Sequence, residues 1–201
     1  MVNAALTGGI ATGKSYCLSR FLALGAAVID ADRLARDAVA PGTSGFTRVV
    51  DRFGASVLAP DGTLNRQALG RIVFADAGAR AALEAIIHPY VYEHITQWLA
   101  ALPSATPVAI ADIPLLFETG RRYNFDRVIV CACDPGVQLQ RLMARNGLSE
   151  AEARARISAQ MPIEEKVALA DFVIRTDGSF SDTDRAVDEV FAHLLRTQGQ
   201  T

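Results

Sequence analysis

The sequence predicts an α/β fold in which helices cover both faces of a five-stranded parallel sheet. Short apolar runs alternate along the chain with longer segments of helical periodicity, which is the pattern of strands joined by crossover helices. The runs are almost continuously apolar, as is typical of strands buried on both faces. A glycine-rich turn links the first run to the first helical segment. These observations predict three layers of helix, sheet and helix.

The predicted strands end where the apolar runs end. They cover residues 2–6, 26–29, 108–111, 127–133 and 171–174. Helical patterns predict helices over residues 16–24, 31–39, 45–53, 66–74, 79–101, 136–146, 150–160 and 182–197. Pro89 lies inside the longest of these helices. Because proline cannot donate the helical hydrogen bond, we expect a kink or break there, with His88 extended before it.

The turn after the first strand fits the phosphate-binding pattern G-x-x-x-x-G-K-[ST]. It consists of Gly8, Gly9, Ile10, Ala11, Thr12, Gly13, Lys14 and Ser15. Between a strand and a helix, the backbone N–H groups of such a turn cradle phosphate, while the lysine reaches the β- and γ-phosphates and the hydroxyl binds Mg²⁺. An ordinary glycine-rich turn is the alternative, but the full match and both flanks favour phosphate binding.

The wide separation of the second and third strands predicts an insertion. About 80 residues of helical pattern lie between them, although connections in α/β proteins are usually short. We expect residues 41–103 to form a helical lobe that covers a substrate, and residues 146–166 to form a lid. Residues 1–40, 104–145 and 167–201 then make the nucleotide-binding core of a single chain.

Carboxylates follow two of the predicted strands, at the sheet edge where ligands of α/β proteins gather. Asp30 and Asp32 follow the second strand, where a carboxylate can cap the next helix or accept a proton from a substrate hydroxyl. We assign the cap to Asp30 and the role of general base to Asp32. Asp112 follows the third strand and is the candidate Mg²⁺ ligand, directly or through water.

Other candidates lie on the predicted lobe, lid and sheet edge. Arg141 and Arg145 lie on the approach to the lid, and arginine-bearing excursions of this kind can close over a nucleotide. His88 suits a ribose hydroxyl or a phosphate, although a lone histidine is more often structural.

A proline after the third strand is followed by a short apolar run that predicts a pocket wall at the sheet edge. The run consists of Leu115, Leu116 and Phe117, and Glu118 follows it. Glu118 is either a substrate ligand or an exposed residue.

The composition excludes several classes of protein. A formal net charge of −2 argues against a general nucleic-acid binder, which is usually basic. Three cysteines are an odd and sparse number that suggests reduced thiols and a cytoplasmic protein, with Cys131 and Cys133 as small buried hydrophobes. No stretch approaches about 18 apolar residues, so no membrane span is predicted.

Several further segments accompany the phosphate loop along the chain. They are V-I-D-A-D at 28–32, P-G at 41–42, D-G-T-L-N-R at 61–66, V-F at 73–74, H-P at 88–89, D-I-P-L-L-F-E at 112–118, Q-M-P-I-E-E-K at 160–166 and A-D-F-V-I at 170–174. In this order they resemble the landmarks of the dephospho-coenzyme A kinase family over nearly the whole chain. Many NTPases share the phosphate loop, whereas the other segments are far more specific.

The resemblance implies the three-layer P-loop NTPase fold, with a helical coenzyme-A-binding lobe and a lid. The implied reaction is the ATP-dependent phosphorylation of the ribose 3′-hydroxyl of dephospho-CoA, the last step of CoA biosynthesis. Dephospho-CoA and ATP with Mg²⁺ are therefore the expected partners, without nucleic acid or membrane. A monomer is expected, and a homo-oligomer is left open.

The resemblance also implies roles for individual residues. Residues 11–16 would line the ATP phosphates, which adds Tyr16 to the loop, and Asp32 would be the base. His88 and the wall at 115–118 would border the acceptor. Arg141 or Arg145 would neutralise charge that develops on the transferred group.

Two departures from the family pattern concern the nucleotide. The loop carries Ala11 and Thr12 where glycine and serine are common, and we expect little effect unless the loop needs a positive φ at Ala11. Many members have an asparagine near the adenine after the last strand. Here the chain continues with Arg175, Thr176 and Asp177, so Thr176 alone is carried over as a nucleotide contact.

Three alternative functions remain open at the level of sequence. A P-loop kinase for another small acceptor is the main one, but the long lobe and its H-P site argue against the compact versions. A GTPase switch needs D-x-x-G after a strand, whereas residues 51–54 lie in a helical pattern and no N-K-x-D follows. A nucleotide-binding module without turnover is disfavoured by the intact Lys14, Ser15, Asp32 and Asp112.

Overall fold

The computed structural model describes residues 1–118 and 125–197 of the chain. The described residues form the strands β1 (Val2–Gly8), β2 (Ala27–Asp30), β3 (Val108–Asp112), β4 (Arg127–Ala132) and β5 (Phe172–Arg175). These strands make one sheet in the order β2-β3-β1-β4-β5. β1 runs parallel to β3 and to β4, and β4 runs parallel to β5. All five predicted strands are confirmed, and β1 at the centre leads into the glycine-rich turn.

Helices follow the strands in the predicted alternation. They are α1 (Lys14–Ala23), α2 (Ala31–Asp37), α3 (Ser44–Phe53), α4 (Arg66–Ala75), α5 (Ala77–Ala101), α6 (Pro135–Asn146), α7 (Glu150–Ser158), α8 (Ile163–Ala168) and α9 (Phe180–Thr197), with a 3₁₀ turn at Ala55–Val57. The predicted helices are present with shifted ends, and the short α8 was not predicted. None of the described helices combines the length and the apolar character needed to cross a membrane.

Side-chain caps fix where several helices begin. Asp30 accepts hydrogen bonds from the backbone N–H groups of Asp32 and Arg33, at 2.8 and 3.1 Å, so its predicted role as the cap of α2 is confirmed. At α7, Ser149 and Glu152 form a reciprocal capping box. The turns before these helices are therefore set by the local sequence.

The chain divides into two compact units, of which the first comprises Met1–Ile29 and Leu102–Thr201. Its sheet is covered on both faces. On one face, Phe21 of α1 and Phe191 of α9 pack against apolar residues of β1, β3, β4 and β5. On the other face, Ile163 of α8 packs against Val130 and Ala132 of β4. The three predicted layers are therefore present in this unit.

The second unit, Asp30–Ala101, is helical. Its core contains Val49 of α3, Val57 of the 3₁₀ turn, Leu69 of α4 and Ile86 of α5. Asp51 lies within α3, so the D-x-x-G match is helical, as expected. The boundaries of the predicted lobe, core and lid stay predictions.

The break expected at Pro89 is wrong, because α5 runs unbroken through this residue and His88 is helical rather than extended. Pro89 lacks the N–H that would bond the carbonyl of Ala85. Both Pro89 and Ala85 are exposed, so water can serve that carbonyl. Ile86 and Val91, three residues before and two residues after Pro89, are buried. Packing of the buried side therefore maintains the helix despite the missing hydrogen bond.

Candidate active site

The glycines of the phosphate loop are required by its geometry. Gly13 has a φ of 82° and precedes α1 without a side-chain cap among the described residues. A Cβ on Gly8 would lie 2.6 Å from the carbonyl oxygen of Cys131, and one on Gly9 would lie 2.7 Å from Nε2 of Gln138. The loop thus leaves the first N–H groups of α1 uncapped, at the helix end that favours an anion.

Ala11 adopts a φ of 61°. Among the residues that the structure describes, it is the only one other than glycine with a positive φ. This is the left-handed region, where the Cβ of an alanine crowds the backbone at a cost of about 1 kcal/mol or more. The positive φ at Ala11, on which the expectation of little effect depended, is therefore present.

Two carbonyl groups of the loop are held by hydrogen bonds from nearby in the chain. The carbonyl of Gly9 accepts from the backbone N–H and the hydroxyl of Thr12, at 3.3 and 2.8 Å. The carbonyl of Gly13 accepts from the N–H groups of Tyr16 and Cys17, at 3.0 and 3.3 Å. These bonds turn both carbonyls toward the protein.

Side chains from other elements also hold the loop. Gln138 of α6 donates to the carbonyl of Ile10 at 2.8 Å, and Gln160 accepts from the N–H of Ile10, also at 2.8 Å. Thr176, which follows β5, donates through its hydroxyl to the carbonyl of Thr12 at 2.9 Å. Thr176 therefore supports the loop, and its predicted contact with the nucleotide stays a prediction.

Lys14 and Asp112 form an ion pair with both side chains largely buried. The register of β1 and β3 places Asp112 opposite Leu6, just before the loop begins. The structure therefore brings the predicted phosphate ligand together with the predicted Mg²⁺ ligand. Ser15, the other predicted Mg²⁺ ligand, is exposed in the first turn of α1.

Lys166 of α8 is fully buried and forms a second ion pair, at 2.6 Å, with Oε1 of Glu118. The same oxygen accepts from the N–H of Met161 at 3.1 Å. Lys166 also donates to the carbonyl of Gly8 through a long hydrogen bond of 3.4 Å. Glu118 is therefore not the exposed residue of one interpretation, and its role as a substrate ligand stays a prediction.

The predicted pocket wall divides between surface and core. Leu115 is exposed, Leu116 is buried, and Phe117 packs against the cluster that contains Val130 and Ile163. Phe117 therefore contributes to the core beside the sheet. A contact of these side chains with a substrate stays a prediction.

Arg141 and Arg145 lie one turn apart on α6 in different surroundings. Arg141 is half-buried and donates to the hydroxyl and the carbonyl of Thr176, at 3.0 and 2.6 Å. Arg145 is exposed and donates to its neighbour Asn146 at 2.9 Å. Arg141 is thus joined through Thr176 to the phosphate loop. Separately, burial raises the pKa of the nearby Cys133 thiol, and the charge of Arg141 opposes that shift.

The side chain of Tyr16 links α1 to α9. Its hydroxyl donates to Asp184 at 3.0 Å, and its ring centroid lies 4.8 Å from that of Phe180. Desolvation and the hydrogen bond to Asp184 raise the pKa of Tyr16. A phosphate contact from Tyr16 stays a prediction.

Asp32 and His88 belong to the helical unit. Asp32 lies in the first turn of α2, and His88 is half-buried in α5, against which α2 packs. Both assignments, as base and as acceptor contact, stay predictions.

The cysteines are free and buried, as expected for Cys131 and Cys133. The hydrogen bond with Cys17 and burial raise the pKa of the Cys131 thiol. Thiols in this state are poor nucleophiles.

Sequence reasoning missed Gln138, Gln160 and Lys166 as supports of the loop. Gln138 could have been suspected because it precedes the apolar Leu142 by four residues and so shares the buried face of α6. Lys166 is one of only two lysines in the chain, which was the available signal.

A sequence model of dephospho-CoA kinases matches residues 2–182 of the chain. The chain belongs to the dephospho-CoA kinase family. A dephospho-CoA kinase of Cutibacterium acnes is 48% identical over 196 residues, which cover 96% of this chain and 85% of that protein.

Solved structures agree with this membership and confirm the predicted P-loop fold. A Thermus thermophilus protein of known structure is similar with a TM-score of 0.82 and 36% identity, over 96% of this chain and 97% of its own. A dephospho-CoA kinase from Campylobacter jejuni has a TM-score of 0.72 and 29% identity, over 98% of each chain.

Replacing Ala11 by glycine should stabilise the protein, because glycine adopts a positive φ without strain. We expect a gain in the free energy of unfolding of up to about 1 kcal/mol, which is the cost of the left-handed alanine less the added freedom of the unfolded glycine. As a control, Ala155→Gly on the exposed side of α7 should lose about 1 kcal/mol. Denaturant unfolding measures both, and equal losses in the two variants would contradict the argument.

Proposed function

We propose that the chain transfers the γ-phosphate of ATP to the ribose 3′-hydroxyl of dephospho-CoA, which gives coenzyme A in the last step of its biosynthesis. Family membership supports the reaction and its two substrates. The structural observation that supports phosphoryl transfer is the phosphate loop, whose lysine, Lys14, is paired with Asp112 at the end of the neighbouring strand.

The loop and Lys14 act on the phosphates of ATP. Its amide groups and the positive end of α1 bind phosphate oxygens, and Lys14 exchanges the carboxylate of Asp112 for the β- and γ-phosphates. Because phosphoryl transfer requires positioning and charge neutralisation more than covalent chemistry, a rigid loop with one buried cation is the main requirement.

Ser15 and Asp112 fit a Mg²⁺ ion. They supply a hydroxyl and a carboxylate oxygen, the kind of ligand that this hard cation prefers. No cluster of three or more potential metal ligands occurs in the described parts of the chain. Mg²⁺ needs none, since it usually takes one or two protein ligands and completes its shell with phosphate and water. When bound there, it neutralises phosphate charge.

Asp32 is the proposed base that accepts the proton of the 3′-hydroxyl, with His88 and residues 115–118 beside the acceptor. The match of the segments around these residues to the family pattern supports their roles. The proposal also includes the lobe at residues 41–103, the lid at 146–166, a cytoplasmic location and a monomeric enzyme.

The reaction is tested by ADP release from Mg·ATP with dephospho-CoA, AMP, CMP or no acceptor. We expect stimulation by dephospho-CoA alone, with the CoA product identified by mass. The Lys14→Ala variant should reduce turnover by at least about a hundredfold, because it removes the positive charge that neutralises the transferred phosphoryl group. Stimulation by AMP or CMP alone would refute the proposed acceptor. ATP binding without ADP release under any condition would favour a module without turnover.

Asp32→Asn should lower turnover by about 10²- to 10⁴-fold, because the amide cannot accept the proton, while the Kd for ATP changes little. The matched control is Asp30→Asn. Asparagine caps a helix as well as aspartate does, so this variant should keep near-normal turnover. Rate measurements on both variants decide the assignment. Near-normal turnover of Asp32→Asn would remove Asp32 as the base.

Arg141→Ala should reduce kcat/KM for ATP more strongly than Arg145→Ala. The reason is that Arg141 is joined to the loop through Thr176, whereas Arg145 is exposed beside Asn146. We expect about tenfold or more for Arg141 and about twofold or less for Arg145, the range between a charged hydrogen bond and a surface contact. A larger effect of Arg145→Ala in the same steady-state assay would reverse the assignment.

A further inference from the structure

The segment between α7 and β5 contacts the phosphate loop at two points. At its start, Gln160 accepts the N–H of Ile10 at 2.8 Å. At its end, Lys166 donates to the carbonyl of Gly8 at 3.4 Å. We name residues 160–166 the brace. Both contacts fall in the first half of the loop, before residues 11–16, which are proposed to line the ATP phosphates.

Burial of the charged Lys166 side chain is unfavourable for the stability of the fold. A fully buried lysine must be compensated by a partner, here Glu118 at 2.6 Å. A buried ion pair of this kind is often no more stabilising than apolar residues of similar volume. Lys166 donates a hydrogen bond to the carbonyl of Gly8. An apolar side chain of similar volume has no donor and could not hold this carbonyl.

Glu118 in turn orients Lys166. Its Oε1 is fixed by the N–H of Met161 as well as by Lys166, so the carboxylate is held by the brace at two positions. Its other carboxylate oxygen is buried and has no hydrogen-bond partner within residues 1–118 and 125–197. Loss of Lys166 would therefore leave a carboxylate without its cation in the described surroundings.

We propose that the brace positions the phosphate loop for ATP and that Lys166 is its positioning residue. Lys166 holds the carbonyl of Gly8, and Gln160 holds the amide of Ile10, so the first turn of the loop is fixed before nucleotide arrives. The brace begins two residues after α7 and includes the first four residues of α8. The proposal rests on the proposed function only in taking ATP as the ligand of the loop.

The test measures the Kd for Mg·ATP by calorimetry, without acceptor, together with unfolding by denaturant. Lys166→Met removes the donor but leaves Glu118 unpaired, so it should be destabilised. The double variant Lys166→Met/Glu118→Gln removes that charge and should recover stability. Both variants should still bind Mg·ATP at least about tenfold more weakly, which corresponds to the loss of one hydrogen bond from a charged group.

Two further variants complete the test. Glu165→Gln, an exposed neighbour on α8, is the matched control and should leave the Kd unchanged. Gln160→Leu leaves the ion pair intact and should weaken Mg·ATP binding by about threefold or more, as expected for one neutral hydrogen bond. This variant decides the outcome if the Lys166 variants do not fold.

Normal ATP affinity in the recovered double variant would show that Lys166 only supports the fold and would overturn the proposal. Normal affinity in Gln160→Leu would overturn the role of the brace at Ile10. ADP release by the unaltered protein is measured separately. If dephospho-CoA fails to stimulate it while the variants lose ATP affinity as expected, the proposed function falls and the brace is supported.

Discussion

A phosphate loop can offer its amide groups to an anion only if its carbonyl groups are held elsewhere. In this protein the carbonyls of Gly8, Gly9, Ile10, Thr12 and Gly13 all accept hydrogen bonds from the protein. Some donors belong to the loop and α1, and others come from α6, α8 and the end of β5. The sheet order is consistent with this arrangement, because β1 lies beside β4, after which α6 and α8 follow in the chain, and β5 is the next strand of the sheet.

The loop conformation is maintained against local costs. Ala11 occupies a backbone region that is unfavourable for alanine, α1 begins without a side-chain cap from residues 1–118 or 125–197, and Lys166 is buried. Strain of this kind persists only where surrounding contacts determine the conformation, and it concentrates at functional sites. The contacts from Gln138, Gln160 and Thr176 supply that determination. A loop held in this way would bind phosphate with little further loss of conformational entropy.

The strands, the phosphate loop and the cap at Asp30 could be predicted, because apolar runs, glycine spacing and capping depend on adjacent residues. The continuity of α5 could not, since it depends on Pro89 facing away from a core that only the folded chain creates. The contacts of Ile10 could not be predicted either, because Gln138 and Gln160 lie 128 and 150 residues away, although the position of Gln138 on α6 indicated that its side chain is buried. The different surroundings of Arg141 and Arg145 could not be predicted from their spacing either. They differ because Arg141 donates to Thr176, which follows β5, whereas Arg145 donates to Asn146.

The pair of Lys14 and Asp112 suits an exchange of partners in the proposed reaction. Before nucleotide binds, each charge compensates the other in a largely buried place. If phosphate draws Lys14 away in the proposed reaction, the carboxylate of Asp112 would lie near negative oxygen atoms, an arrangement that a cation would stabilise. Metal-free ATP would therefore create a repulsion that ATP with its cation relieves. In the proposed reaction the two residues would therefore favour ATP together with its cation.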